Sequence, residues 1–192
     1  MQDIERHPFE PFLPEGAVVL FLGSFPPQPK RWSMEFYYPN WLNDFWRVCG
    51  IVFFGDRDHF VVPGEKRFDV DRIQAFCAEK GIALFDTATA VRRLQDNASD
   101  KFLEVVEPTD ITGLLRRIPA CKAVVTTGEK ATVVLVEKYA CAEPKVGQST
   151  EISIDGRPLV FWRMPSTSRA YPLSLDKKAA AYDTLFRALN LV

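Results

Sequence analysis

Ala17-Val18-Val19-Leu20-Phe21-Leu22 is an unbroken apolar run with β-branched members, closed by Gly16 and Gly23. It does not alternate, so it predicts a strand covered on both faces, the mark of a parallel sheet under helices. The motif recurs downstream. Gly81 stops a helix over 69–80, whose Val70, Ile73, Phe76 and Cys77 form one apolar stripe, and Ile82-Ala83-Leu84-Phe85 follows as a second buried strand. Ala123-Val124-Val125-Thr126 gives a third, ahead of a helix over 129–139. Thr150 to Ile154 alternates in period two and meets Pro158 to Trp162 across Asp155-Gly156, a hairpin signal. A last helix starts near Ser174 with Leu175, Ala179, Tyr182, Phe186 and Leu189 on one face. Strands alternating with helices give the α/β class: a three-layer α/β/α sandwich with a mostly parallel central sheet. Residues 55–68 and 95–109 read as long connections. In such folds ligands sit beyond the carboxyl ends of the strands, which directs attention to the loops that begin at Gly23, Asp86, Thr127 and Met164.

The chain has 192 residues, enough for one domain over 1–192 with a core that needs no disulfide or metal. Its 24 Lys+Arg balance 25 Asp+Glu for a net charge of −1, so any nucleic-acid contact must come from a local patch. The four cysteines lack the close pairing of zinc or redox motifs and read as reduced core thiols. Two histidines, His7 and His59, stand in no recognisable motif, which leaves neither a metal nor a cofactor to expect. No signal peptide and no membrane span is legible, and a cytoplasmic location and a monomeric state are expected.

The loop after the first strand, Gly23-Ser24-Phe25-Pro26-Pro27, combines a tight-turn glycine with extended prolines. Seven aromatics follow within residues 32 to 46. Trp41, Phe45 and Trp46 fit one face of a helix starting near Asn40 and read as core. Tyr37 and Tyr38 precede that helix beside Pro39, where stacking on a flat ring competes with core packing. Asp86 ends a buried strand, as a turn former or as a hydrogen-bonding group at a pocket floor. Met164-Pro165-Ser166-Thr167-Ser168-Arg169 runs into the last helix, either as a hydroxyl-rich helix cap or as a grip for phosphate oxygens.

Taken together and in order, LGSFPP (22–27), FYYPNWLNDFW (36–46), LFDTATAVRR (84–93) and MPSTSRAYPLSLDKKAAAY (164–182) resemble the uracil-DNA glycosylase superfamily. They are most similar to its hypoxanthine (deoxyinosine) DNA glycosylase family. The resemblance covers roughly residues 17 to 189. It implies a DNA partner carrying a deaminated base, hypoxanthine or uracil, which is flipped into a pocket and released by hydrolysis of its N-glycosidic bond without metal or cofactor. By the same resemblance Asn43 is the catalytic residue, Tyr38 the ring on which the base stacks and Asp86 the group that reads its edge. Gly23, Ser24 and Phe25, with Pro26 and Pro27, line the base pocket. Pro165, Ser166, Thr167 and Ser168 pinch the DNA backbone, with Arg169 as a wedge. Three positions depart from the wider superfamily. Phe25 stands where many members carry a water-activating Asp or Asn, Met164 where uracil enzymes carry a donor to the leaving base, and Pro27 where a second glycine is usual. The first two are apolar in the hypoxanthine family as well. The competing reading is a catalytically weak or inactive member that binds damaged or single-stranded nucleic acid, and a third is hydrolysis of a free nucleoside or nucleotide. Positive potential is expected from Lys30 and Arg31, Arg92 and Arg93, Arg163 and Arg169, and Lys177 and Lys178.

Overall fold

The computed structural model describes residues 3–94 and 102–192. A five-stranded sheet forms the centre, in the order β3(Ile82–Asp86), β2(Val19–Gly23), β6(Ala123–Thr127), β8(Arg157–Met164), β7(Gln148–Ile154). The first four run parallel and β7 pairs antiparallel with β8 through the Asp155-Gly156 hairpin, where both residues take positive φ. The register sets Gly23 beside Asp86 and Leu22 beside Thr126, so the carboxyl ends of three strands finish together.

Both faces of the central strands are covered, which accounts for their unbroken apolar sequence: Val19, Leu20, Phe21 and Leu22 are all fully buried. Phe21 meets Phe45 of α1(Phe45–Phe54) and Phe186 of α5(Leu175–Ala188), and these two helices pack on each other. α2(Val70–Lys80) packs on β3, capped at its start by Asp69, which accepts from the Arg72 amide, and closed by left-handed Gly81. α4(Glu129–Tyr139) lies on β6 and β7. Ser174 caps α5 by accepting from the Lys177 amide. The outer edge of β3 is covered by Phe12, whose amide and carbonyl pair with Leu84.

Two of the expectations need correction. The helix expected from Asn40 begins only at Phe45, because the Asn43 side chain accepts the Phe45 amide and holds residues 40–44 in a turn. Part of the connection expected over 95–109 is a strand: β5(Leu103–Pro108) pairs with β4(Ala88–Arg93), which in turn pairs with β1(Ile4–Arg6), an antiparallel three-stranded sheet. Residues 95–101 of that connection lie outside the described residues. The second sheet carries a small apolar cluster of Phe25, Ala88, Val91 and Leu103. A further helix, α3(Ile111–Arg117), leads into β6. Among the described residues no helix is long and apolar enough to cross a membrane.

Candidate functional site

At the carboxyl ends of β2, β3 and β6 opens a cleft of about 920 Å³, large enough for a nucleobase and its sugar. Its walls bring together most of the residues singled out in the sequence. Gly23, Ser24, Phe25, Pro26 and Pro27 line it, together with Tyr38 and Asn43, Asp86 at its strand end, and Ser166, Thr167 and Ser168, the last bridged to Asn43. Pro165 and Arg169 flank Ser166–Ser168 without lining the cleft.

The first loop is tied at each turn. The Thr87 amide donates to Gly23 O at 2.8 Å, a guanidinium nitrogen of Arg93 to Pro26 O at 3.1 Å, and Trp32 Nε1 to Pro27 O at 2.7 Å. Gly23 is required for space: a Cβ there would stand 2.3 Å from Asp86 Oδ1. The strand end therefore holds its carboxylate directly over the backbone of its neighbour.

Asp86 has a partner that sequence reasoning passed over. His7 Nε2 lies 2.8 Å from Asp86 Oδ2, and the two side chains are 4% and 9% exposed. β1 places His7 there, with the His7 amide donating to Thr89 O. Phe25 and Phe85 pack on the imidazole with ring centroids 5.3 and 4.6 Å away. A lone histidine near the start of a chain offers no sequence signal for this contact, which spans 79 residues.

Tyr37 and Tyr38 both reach the cleft but are held differently. Tyr37 is almost fully buried, 3% exposed, with its hydroxyl donating to Glu10 O. Tyr38 lines the cleft, its ring stacked on Phe45 at 3.9 Å and 13° and its hydroxyl 3.0 Å from Thr127 Oγ1. It adopts a left-handed φ of 53°, a strained conformation for an aromatic residue, fixed by these two contacts. Burial, and to a lesser degree the nearby Asp86 carboxylate, raises its phenol well above the usual range, so it stays protonated.

Asn43 Oδ1 accepts from the Phe45 amide at 2.9 Å, and its backbone bridges to Ser168. Arg47, buried over the Trp41 ring at 4.2 Å, donates to Trp41 O and Asn43 O and braces the same turn. Next to it Asp44 is the centre of a buried ionic knot. Lys178 Nζ donates to Asp44 Oδ2 at 2.9 Å and to Ser168 O at 2.8 Å, Arg169 Nε donates to Asp44 Oδ1 at 3.2 Å, and the Asp44 amide donates to Thr167 O. This knot fastens the 165–169 loop to the turn carrying Asn43. Ser166 and Ser168 accept backbone amides of Ser168 and Ala170, which leaves each hydroxyl hydrogen available as a donor. Tyr182 anchors the loop from below through Pro165 O.

The expected basic patch is smaller than its sequence count. Lys178 is inside the knot, Arg93 is buried against Glu5, and Arg92 and Arg163 pair with Glu104 and Glu143. Arg169 keeps 41% of its side chain exposed while bound to Asp44, and Leu42 is exposed by 53% on the cleft rim. Met164, buried to 1%, does not reach the cleft. Among the described residues no group of three or more His, Cys, Asp or Glu lies close enough to hold a metal ion.

No protein-family model matches the chain, and no curated protein matches it either. Among solved structures it is similar to a solution NMR structure from Methanosarcina acetivorans described as a "putative Uracil DNA glycosylase". The match covers 98% of this chain and 99% of that one, with a TM-score of 0.66 and 22% identity. The two chains share a fold.

Proposed function

We propose that the chain is a monofunctional DNA glycosylase, one domain over residues 1–192, most similar to the hypoxanthine DNA glycosylases. Its substrate is DNA carrying hypoxanthine, or uracil. The observation that carries this reading is the convergence of Gly23–Pro27, Tyr38, Asn43, Asp86 and Ser166–Ser168 on one cleft. The fold shared with the Methanosarcina acetivorans protein supports it.

On this reading Tyr38 gives one ring face to Phe45 and the other to the flipped base. Asp86 Oδ1 accepts the N–H of the base edge, while Ser166 and Ser168 donate to phosphate oxygens. Asn43, held by the Phe45 amide, orients a water against C1′ of the sugar. The C1′–N bond breaks with its electron pair leaving on the base, the water oxygen bonds to C1′, and the water's proton finishes on the base. Incubation with oligonucleotides containing hypoxanthine, xanthine or uracil, with enzyme in excess over DNA, tests this. Base release is expected, slowed about 100-fold by Asn43→Ala, the scale of removing one preorganised polar group. No release from any substrate refutes it.

One observation favours the second reading, a lesion binder without catalysis. Phe25 is locked in an apolar cluster with Ala88, Val91 and Leu103, so the side chain at that position offers a water no proton acceptor. That reading expects salt-dependent binding of damaged DNA without release.

A further inference from the structure

The two oxygens of Asp86 are not equivalent. Oδ2 faces the buried imidazole of His7 at 2.8 Å. Oδ1 lies over Gly23 on the cleft wall and has no hydrogen-bond partner among the described residues. A carboxylate oxygen only accepts, so the hydrogen of this contact belongs to His7 Nε2. The other ring nitrogen, Nδ1, sits 3.1 Å from the Phe9 amide and 2.9 Å from the Phe9 carbonyl, which fixes the ring whichever of the two it engages. Aromatic rings of Phe9, Phe25, Tyr37 and Phe85 surround the imidazole and give it no alternative polar partner.

We infer that His7 is a specificity-determining positioning residue that reduces Asp86 to a single acceptor. The inference rests on the glycosylase reading above and deepens it. A free carboxylate is the natural partner of guanine, whose N1–H and N2–H are adjacent donors that match two oxygens at once. Oδ2 is turned to His7, which does not line the cleft, so Oδ1 is the oxygen left to a ligand, and it suits a base edge presenting one N–H: N1–H of hypoxanthine or N3–H of uracil. Guanine in the cleft would bury its amino group without a second oxygen in reach, and an unpaired buried donor costs more than the bond it replaces. The imidazole thereby separates the deaminated purine from the abundant normal base that differs from it by one amino group.

The test uses otherwise identical single-stranded oligonucleotides with one 2′-fluoro nucleotide, which resists cleavage, bearing hypoxanthine, guanine or 1-methylhypoxanthine. Binding is read by fluorescence anisotropy for the wild type, His7→Phe and His7→Gln. The wild type is expected to prefer hypoxanthine about tenfold over both other bases, the effect of about 1.4 kcal/mol. His7→Phe keeps the aromatic packing but frees Oδ2, and is expected to bring hypoxanthine and guanine within about twofold, chiefly through tighter guanine binding. His7→Gln, with an amide donor, restores part of the preference. A purely structural role would instead weaken all three probes together and leave the ratio unchanged, which overturns the inference. Equal wild-type affinity for hypoxanthine and guanine overturns it without any variant. Should the wild type release no base and bind no probe above an undamaged strand, the glycosylase reading fails and this inference with it. Base release with an unchanged ratio removes the role of His7 alone.

Discussion

Replacing Lys178 by Met retains the apolar stem of the side chain and removes one charge from the interior. Lys178 is 1% and Asp44 7% exposed, with 2.9 Å between Nζ and Oδ2. Breaking such a pair from one side leaves a buried carboxylate behind, at a typical cost of about 3–5 kcal/mol. Two details place the expected value at the lower end. Arg169 Nε still reaches Asp44 Oδ1, although from a side chain that is 41% exposed, and Ser168 O keeps the Tyr171 amide as a donor. A loss of about 3 kcal/mol is therefore expected, which lowers the melting temperature of a chain this size by about 6–12 °C. Thermal and urea unfolding followed by circular dichroism measure it. Adding Asp44→Leu to Lys178→Met removes the stranded charge, so the double variant should be more stable than the sum of the single losses by at least about 1 kcal/mol. A single-variant loss below about 1 kcal/mol, or strict additivity, would refute the claim that this is a desolvated, coupled pair.

Gly23→Ala drives a methyl group to 2.3 Å from Asp86 Oδ1. It should cost about 1–3 kcal/mol in urea unfolding and weaken hypoxanthine binding, because the carboxylate is pinned by His7 and cannot simply turn away. Leu42→Ala, at a position 53% exposed on the rim, should leave stability within about 0.5 kcal/mol and lower base release from duplex more than from single strands. An equal loss on both substrates would show that Leu42 does not help open the duplex. Burial pushes the Cys121 thiol up to about 11 from an ordinary value near 9. A folded-state value that is raised means full stability below about pH 9 and a loss as pH climbs to 11, about 2 kcal/mol by pH 11 from this residue alone. Urea unfolding at pH 8, 9.5 and 11 follows it, and an unchanged midpoint would contradict a buried thiol.

The parallel sheet was legible because strands covered on both faces write themselves as continuous apolar runs: all five residues of β2, of β3 and of β6 are buried. The second sheet leaves no such trace. β1 has three residues with only Glu5 partly covered, and β5 is mostly exposed, so neither carries an apolar pattern. Aromatic spacing suggested a helix from Asn40, yet spacing cannot register that Asn43 competes for the Phe45 amide or that Trp41 sits under Arg47. Similarly, charge counting put Arg93 and Lys178 on the surface, whereas their partners Glu5 and Asp44 lie 88 and 134 residues away. Most of the residues facing the cleft stood in local motifs. His7 did not, and Lys178, although it stands within the last motif, shows its role only through a contact that the folded chain creates.

Those distant contacts bear on the order in which the molecule assembles. Lys178 reaches Asp44 across 134 residues, farther than the 79 between His7 and Asp86 and farther than the span that joins β2 to β6, so the longest loop must close before that contact contributes. The Lys178 support should therefore be absent from the folding transition state. Substitution at Lys178 would then leave the refolding rate nearly unchanged and express its whole cost as faster unfolding. The ionic knot under the 165–169 loop is in this sense a kinetic latch: it locks late, and its release sets how long the native state survives.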